Sequence, residues 1–217
     1  MSEDTWLLRY PNHEKSQYRR ARRASHFKHI SKKPRALVTG GIVLHTAENR
    51  VDESGADSSA EGVARFISNR KTYGSYHSIV DTDSIVHGGK YAWEMFQEGT
   101  GGNRWSLGLS FACKTTDWRT RDDTWVQKMI RNGAIEAAAM ASWVLNMEGI
   151  EVPAKLITAE EYRAGKPGFT THGRLDPGRR TDPGEYFPAD RFLRAFVEEF
   201  KQGPAEPEDR PAPGTRT

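Results

Sequence analysis

Apolar residues along the chain follow two spacings, and the shorter one predicts strands. Strand-like apolar runs occur at residues 36–38, 42–44, 76–80, 85–87 and 106–113. The polar residues 81–84 separate the third run from the fourth, and this arrangement predicts a hairpin. The run at 106–113 is apolar or small on both of its faces, so we expect it to be a central strand of the sheet.

Apolar residues three and four positions apart predict three helices. The first starts at Ser58, which forms a capping-box pattern with Glu61, and its apolar face is Val63, Phe66 and Ile67. The longest covers 122–147, with a stripe of Val126, Ile130, Ala134, Ala137, Ala141 and Val144. The last follows residue 188 and would bury Leu193, Phe196, Val197 and Phe200. Strands followed by long helices, with a hairpin among them, predict an α/β fold with helices flanking a central mixed β-sheet.

The composition divides the chain into three parts. Its 217 residues are enough to bury one core, and we expect that single domain to cover residues 36–202. Residues 1–35 are polar and basic, which predicts an N-terminal arm that packs against the domain in places. Residues 203–217 contain several prolines and charges, which predict a disordered tail.

Positive charge is concentrated in the predicted arm. The whole chain has a formal net charge of +3, yet nine basic residues lie in this short segment: Lys15, Arg19, Arg20, Arg22, Arg23, Lys28, Lys32, Lys33 and Arg35. Such a block attracts polyanions over a long range. Nucleic acid, anionic lipid and acidic wall polymers all qualify, and a solvated arm without a single partner is the alternative. Because no nucleic-acid motif accompanies the charge, we expect no nucleic-acid partner.

The cysteine count and the N-terminus narrow the cellular setting. Cys113 is the only cysteine, which excludes an internal disulfide and a cysteine-rich zinc site, and we expect a buried, inert thiol. The N-terminus lacks the pattern of a secretory signal, and no apolar stretch reaches the roughly 20 residues of a membrane span. We therefore expect a soluble monomer made in the cytoplasm, which another factor must release if its target lies outside the membrane.

Two histidines and an aspartate form the candidate chemical site. His45 ends an apolar strand, where a side chain can project from the sheet edge into a cleft. His172 and Asp182 bracket a loop rich in glycine and proline, which can fold back and present both groups together. Two imidazoles and one carboxylate suit Zn²⁺. A zinc ion with three protein ligands leaves its fourth position to water, as in hydrolytic sites.

The local context of these residues resembles the type 2 N-acetylmuramoyl-L-alanine amidases, whose fold is shared with peptidoglycan recognition proteins and several phage lysins. The resemblance rests on four segments, at residues 43–47, 76–81, 103–109 and 172–184. It extends over residues 42–188, and the long predicted helix falls where the family has one. The resemblance implies that His45, His172 and Asp182 bind zinc, with Asp182 in the family's Asp-Pro-Gly motif.

The resemblance also implies an activity. The family hydrolyses the amide bond between N-acetylmuramic acid and L-alanine in bacterial peptidoglycan, so we expect a phage-type endolysin that acts on the cell wall after release. A cytoplasmic enzyme that recycles wall fragments fits the absence of a signal equally well. Arg180 stands where the family often has lysine, and it can stabilise an oxyanion but cannot donate a proton. Tyr76 occupies the position of an active-site tyrosine in some members, with a buried structural tyrosine as the alternative.

Two departures from the family pattern affect the expected chemistry. Asp176-Pro177-Gly178 duplicates the motif of Asp182, but the family's ten-residue step from histidine to carboxylate selects Asp182, so we expect Asp176 to orient the loop or an imidazole. Ser110 stands where many members have a glutamate base, and serine cannot act as a base at neutral pH. Either another group relays the proton, with Tyr76 and Glu48 as candidates, or turnover is slow. The alternative function is a muropeptide-binding module with little or no catalysis.

Aromatic and histidine residues outside this set have two interpretations. Trp93, Trp105 and Trp118 lie in or near loops after strands, where they either line a glycan groove or belong to the core. His77 is expected to point away from Tyr76 because neighbouring residues of a strand face opposite sides. We expect His87 to be structural.

Overall fold

The computed structural model describes the backbone of three N-terminal strands, at 5–9, 18–22 and 30–34, together with residues 38–49, 51, 59–69 and 74–202. Several sequence-based expectations lie outside the described residues. They are the strand residues 36 and 37, the cap at Ser58 and the tail at 203–217. The same holds for the side chains of the basic segment. Among the described residues, no helix has the length and hydropathy needed to cross a membrane.

The described strands are β1 (Thr5–Arg9), β2 (Tyr18–Arg22), β3 (Ile30–Pro34), β4 (Gly41–Thr46), β5 (Ser78–Val80), β6 (Ile85–His87), β7 (Trp93–Met95), β8 (Ser106–Phe111) and β9 (Gly168–Thr171). Seven of them form one mixed sheet in the order β2-β1-β6-β5-β8-β4-β9, while β3 pairs with β7. β8 lies between β5 and β4 and is parallel to both, and β9 is parallel to β4. The mixed sheet, the central position of β8 and the β5–β6 hairpin are thus confirmed.

The described helices are α1 (Ser59–Asn69), α2 (Asp117–Thr120), α3 (Asp123–Glu148), α4 (Ala159–Arg163), α5 (His172–Leu175) and α6 (Ala189–Gln202). The predicted stripe of α3 is confirmed, since all six of its residues are buried. Gly133 lets this helix approach the sheet, because a Cβ there would lie 2.4 Å from the ring of Phe111. Phe196 of α6 is buried in the same cluster, against which Leu193, Val197 and Phe200 pack.

The alternation of side chains in β4 decides which residues face the core helices. Ile42 and Leu44 join the large cluster formed with α3 and α6. Val43 belongs instead to a separate small cluster with Tyr162 and Leu175. Because residues two apart share a face of a strand, His45 lies on the same face as Val43 and away from α3 and α6.

The predicted apolar face of α1 is wrong at one position. Val63 and Ile67 are buried, but Phe66 is 65% exposed. Successive helix residues are about 100° apart, so Phe66 lies about 100° from the centre of the face formed by the buried residues Ala60, Val63, Ala64 and Ile67. A large apolar side chain at the edge of a helical stripe does not have to be buried, and the spacing alone did not reveal this.

Candidate metal centre

Three elements bring the candidate ligands to one edge of the sheet. His45 lies near the C-terminal end of β4, and His172 is the first residue of α5, directly after β9. β4 and β9 are parallel neighbours, so their C-terminal ends meet at the same edge. The Thr171 side chain caps α5 by accepting a hydrogen bond from the Arg174 N–H at 3.2 Å. The direction of β9 and the cap at Thr171 therefore fix the position of His172.

The loop after α5 returns to the sheet through hydrogen bonds made by its own backbone. The N–H of Gly173 donates to the carbonyl oxygen of Asp182 at 2.8 Å. A Cβ at Gly173 would lie 3.1 Å from the Thr181 backbone, so glycine permits this close approach. On the far side, the Trp118 indole N–H donates to the carbonyl oxygen of Pro183 at 3.0 Å. These contacts hold the Asp182 side chain opposite His172.

The structure brings His45, His172 and Asp182 together around one point. The two Nδ1 atoms are 3.2 Å apart, and Asp182 Oδ2 is 3.1 Å from His45 Nδ1 and 3.3 Å from His172 Nδ1. For bonds of about 2.0–2.1 Å, the ligand atoms of a tetrahedral zinc ion are about 3.3–3.4 Å apart. The spacing of the three atoms therefore fits three corners of such a tetrahedron, with the fourth corner left open.

Hydrogen bonds to the opposite ring nitrogens fix the tautomer of both imidazoles. His172 Nε2 faces the carbonyl oxygen of Glu98 at 3.2 Å, and a carbonyl can only accept, so Nε2 has the hydrogen. His45 Nε2 faces Gln97 Oε1 at 3.3 Å. The Gln97 amide cannot be reversed, because its Nε2 donates to the carbonyl oxygen of Ser106 at 3.3 Å. When both imidazoles are neutral, their Nδ1 atoms therefore present lone pairs to each other and to Asp182.

Three acceptor atoms at this spacing need a proton or a metal cation among them to offset the repulsion of their lone pairs. A proton on one imidazole satisfies the requirement only in part, whereas a divalent metal satisfies all three lone pairs. Burial lowers the pKa of His45, which disfavours the protonated form. Burial opposes the ionisation of Asp182, but its contacts with His172 and His45 outweigh burial and hold the pKa of that carboxyl well below its ordinary value. A neutral imidazole at His45 and an ionised carboxylate at Asp182 are the protonation states in which these groups can bind a metal ion.

His172 and Asp182 line the base of a cleft with a volume of about 530 Å³, and the fully buried His45 contacts both of them. Tyr76 also lines it, and its ring centroid is 5.0 Å from that of His45. Arg180 and Glu48 line the same cleft and are exposed to solvent. The cleft thus places a phenol, a guanidinium and a carboxylate beside the candidate metal ligands.

A larger groove of about 710 Å³ lies along the other side of the 172–184 loop. It shares Arg180 with the cleft, and Arg174 and Tyr186 also line it. None of the three candidate ligands lines this groove. The smaller cleft is therefore the one that reaches the candidate metal ligands.

Other residues singled out in the sequence lie outside the cluster. Asp176 accepts a hydrogen bond from the Arg179 guanidinium at 2.6 Å, so it stabilises the loop, and neither imidazole bonds to it in the described contacts. Ser110 is buried in β8, directly opposite His45 in the strand register. His87 Nδ1 lies 3.6 Å from Glu136 Oε1. His77 is buried and accepts the Gly108 N–H at 2.9 Å.

The tryptophans and the cysteine belong mainly to the interior. Trp93 and Trp118 are 9% and 6% exposed and pack in the core clusters, so the core interpretation holds for both. Trp105 is only partly buried. Cys113 is buried as predicted, and burial raises the pKa of its thiol.

Sequence reasoning missed the residues that orient the imidazoles. Gln97 receives support from a buried network, since Ser106 Oγ accepts hydrogen bonds from Gln97 Nε2 at 2.9 Å and from the Tyr162 hydroxyl at 2.8 Å. A Cβ at Gly108 would lie 1.8 Å from Gln97 Oε1. Glycine inside a strand often indicates such a close approach of another group. Gly108 could therefore have indicated a close neighbour, but not that the neighbour is Gln97.

Comparison with known proteins places the chain by its fold. No family model matches the sequence, and no curated protein matches it significantly. The hydrolase AmiA of Staphylococcus aureus, solved with its ligand, aligns with a TM-score of 0.53 at 18% identity over 82% of this chain and 84% of that one. A mutant endolysin from Bacillus subtilis aligns with a TM-score of 0.50 at 19% identity, over 75% and 88%. The catalytic domain of XlyA aligns with a TM-score of 0.50 at 16% identity, over 79% and 96%.

The chain therefore has the same fold as these solved proteins. The single α/β domain expected from the resemblance to type 2 N-acetylmuramoyl-L-alanine amidases is confirmed at the level of the fold. The described residues also include a His-His-Asp group with the spacing needed to hold a metal ion.

Proposed function

We propose that this chain is a zinc-dependent N-acetylmuramoyl-L-alanine amidase. The proposal rests on one observation above all. His45 Nδ1, His172 Nδ1 and Asp182 Oδ2 converge within 3.3 Å of one another, with both tautomers set so that only lone pairs face the centre. Two imidazoles and one carboxylate are a donor set that suits Zn²⁺. Three protein ligands would leave a position for water, which is the arrangement of a catalytic zinc site.

The substrate is proposed from the fold together with the motifs around the site. One aligned structure is described as a hydrolase and another as an endolysin, an enzyme class that acts on bacterial cell walls. The four segments that resemble the type 2 amidases include all three candidate ligands as well as Tyr76 and Arg180. We therefore propose peptidoglycan as the substrate and the amide between N-acetylmuramic acid and L-alanine as the bond that is cleaved.

The residues around the cleft would have separate roles in the proposed reaction. Zinc held there would lower the pKa of a bound water to about 7 and polarise the scissile carbonyl. Arg180 supplies a fixed positive charge, which stabilises negative charge that develops on the carbonyl oxygen. It cannot act as a general acid because guanidinium does not lose its proton. The Tyr76 phenol lies beside His45, where it can hydrogen-bond the attacking water or the tetrahedral intermediate.

The biological setting is part of the proposal. We assign the protein a role as a phage-type lysin that acts as a monomer on the cell wall after release from the cytoplasm. The nine basic residues between 15 and 35 would attract anionic wall polymers. Binding to purified walls should then weaken as salt rises, and it should weaken further on walls stripped of teichoic acid.

Product analysis tests the proposed reaction. Purified peptidoglycan is digested with the protein in the presence of zinc, and the products are separated by mass spectrometry. We expect new L-alanine amino termini, no new reducing sugar ends, loss of activity after chelation and its return with added zinc. New reducing ends would identify a glycosidase and refute the amidase reaction.

A second candidate function is a muropeptide-binding module without catalysis. It is favoured by Ser110, which occupies the position of the family's glutamate base. The same digestion separates the two candidates, since walls that bind the protein and stay intact would support the module. A metal centre with an open coordination position favours catalysis, because recognition alone does not require a metal centre.

A further inference from the structure

Hydrolysis in this cleft needs a group that accepts the proton of the attacking water. Among the described residues, one carboxylate in the cleft is neither a candidate metal ligand nor buried. Three carboxylates line the cleft: Glu48, Glu98 and Asp182. Asp182 is committed to the metal cluster. Glu98 is 1% exposed, and its Oε1 lies beneath a turn beside the buried Tyr162, where a Cβ on Gly102 would be 2.6 Å from that oxygen. Glu48 is the carboxylate that remains.

Hydrogen bonds hold one oxygen of Glu48 in place. Its Oε1 accepts from the Thr46 hydroxyl at 2.7 Å and from the Thr115 N–H at 3.0 Å. Among the described residues no donor contacts Oε2. A carboxylate fixed through one oxygen keeps its other oxygen available to a ligand in the cleft, and it loses little conformational freedom when it acts.

The backbone at Glu48 adopts a left-handed conformation that residues other than glycine rarely adopt. Its φ is +54°, and it is the only non-glycine with positive φ among the described residues. The N–H of Glu48 donates to the carbonyl oxygen of Cys113 at 3.0 Å, which fixes this turn at the end of β4. Backbone strain of this kind occurs preferentially at functional sites. Here the turn brings Glu48 to the cleft three residues after His45.

Ser110 cannot take this role. It is fully buried in β8, and its hydroxyl makes no hydrogen bond to any described residue. At neutral pH its hydroxyl does not act as a base. The acceptor must therefore come from another element, and the loop after β4 supplies one.

We infer that Glu48 is the proton acceptor of the proposed amidase reaction, an inference that rests on the proposed function. Glu48 takes a proton from the attacking water while the water oxygen bonds to the carbonyl carbon. The C–N bond then breaks, and Glu48 returns the proton to the departing nitrogen. The products are the free lactyl carboxyl group and the amino terminus of L-alanine, so the atoms balance without a further reactant.

Glu48→Gln tests the inference in the full-length protein. The amide oxygen can keep both anchoring hydrogen bonds, whereas the basic oxygen is lost. We expect kcat on peptidoglycan to fall by about 10²–10⁴-fold, the usual contribution of a general base. KM and zinc content should stay unchanged. Activity within about threefold of the parent, at full zinc content, would overturn the inference.

Two control variants separate this outcome from others. Glu185→Gln removes an exposed carboxylate from the neighbouring groove and should leave kcat unchanged. Ser110→Ala should likewise leave kcat unchanged, since its hydroxyl has no described partner. Loss of activity in Ser110→Ala at full zinc content would return the role to Ser110 and refute the inference. An inactive parent would refute the proposed function and the inference with it.

Discussion

The base of the cleft and its rim differ in how firmly their side chains are held. At the base, His45, His172 and Asp182 are at most 9% exposed, and each contacts the other two. At the rim, Arg180 and Glu48 are exposed. Buried, mutually oriented groups are suited to holding an ion, whereas exposed groups are suited to meeting a large polymer. We therefore expect the base to determine metal affinity and the rim to determine turnover.

Removal of a ligand at the base should have the largest effect. His172→Ala leaves two ligands and an unoccupied space beside the Glu98 carbonyl, so zinc content and amidase activity should both be lost. The expected fall in activity is at least about 10³-fold, because the proposed chemistry depends on the metal. Metal analysis of the purified variant and the peptidoglycan digestion check both expectations.

A second histidine serves as the matched control for this variant. His87→Gln alters a histidine that lies near Glu136 and does not line the cleft. It should keep its zinc and its activity. If His172→Ala retained stoichiometric zinc, the base of the cleft would not be the metal site.

A change at the rim should slow turnover without releasing metal. Arg180→Ala removes the positive charge proposed to face the developing oxyanion, and loss of one such donor typically lowers kcat by about 10²-fold or more. Zinc content should equal that of the parent. Arg180→Lys keeps the charge and should recover much of the activity. A kcat equal to the parent's in Arg180→Ala would refute the assigned role.

The sequence contains enough information to predict the elements that bring the ligands together. Residues 42–44 form an apolar run that ends at His45, and such a run predicts a buried strand with a side chain at the sheet edge. The loop between His172 and Asp182 is rich in glycine and proline, which predicts a tight return. Both features are local, so a pattern of neighbouring residues is sufficient to find them.

The support of the imidazoles could not be predicted in the same way. Gln97 bonds a histidine 52 residues away in the chain, and it lies between β7 and β8, where no hydrophobic period exists. Its position depends on the missing side chain of Gly108 and on the hydroxyl of Tyr162 acting through Ser106. Such contacts depend on the packing of separate elements, and a single sequence does not contain them as a pattern.

Gln97 gives a way to weaken the base without touching a ligand. Gln97→Leu removes the acceptor for His45 Nε2–H, so the imidazole is free to rotate or to exchange its tautomer. Loss of such a supporting contact typically weakens metal binding by about 10–100-fold. Competition with a zinc chelator of known affinity measures the change.

Gln127→Leu is the matched control for this substitution. Gln127 is exposed on α3 and does not line the cleft, so the control should bind zinc like the parent. Unchanged zinc affinity in Gln97→Leu would show that the ligands orient themselves. The metal affinity of the base would then depend on the three ligands alone.

The smallest expected effect is on the pH dependence of thermal stability, measured after a chelator has removed zinc. Burial holds the pKa of His45 below its ordinary value of 6.5, so as the pH falls the unfolded chain binds a proton at this residue before the folded chain does. The stabilising contribution is therefore present above about pH 6.5 and is lost as the pH falls through the folded pKa. The pKa of Asp182 is also lowered, but the pH range in which its contribution is lost is more acidic.

Melting curves should show a melting temperature that declines below about pH 6.5, and the decline should be smaller in His45→Asn. Equal declines in the two proteins would show that the base of the cleft does not disfavour a proton on His45.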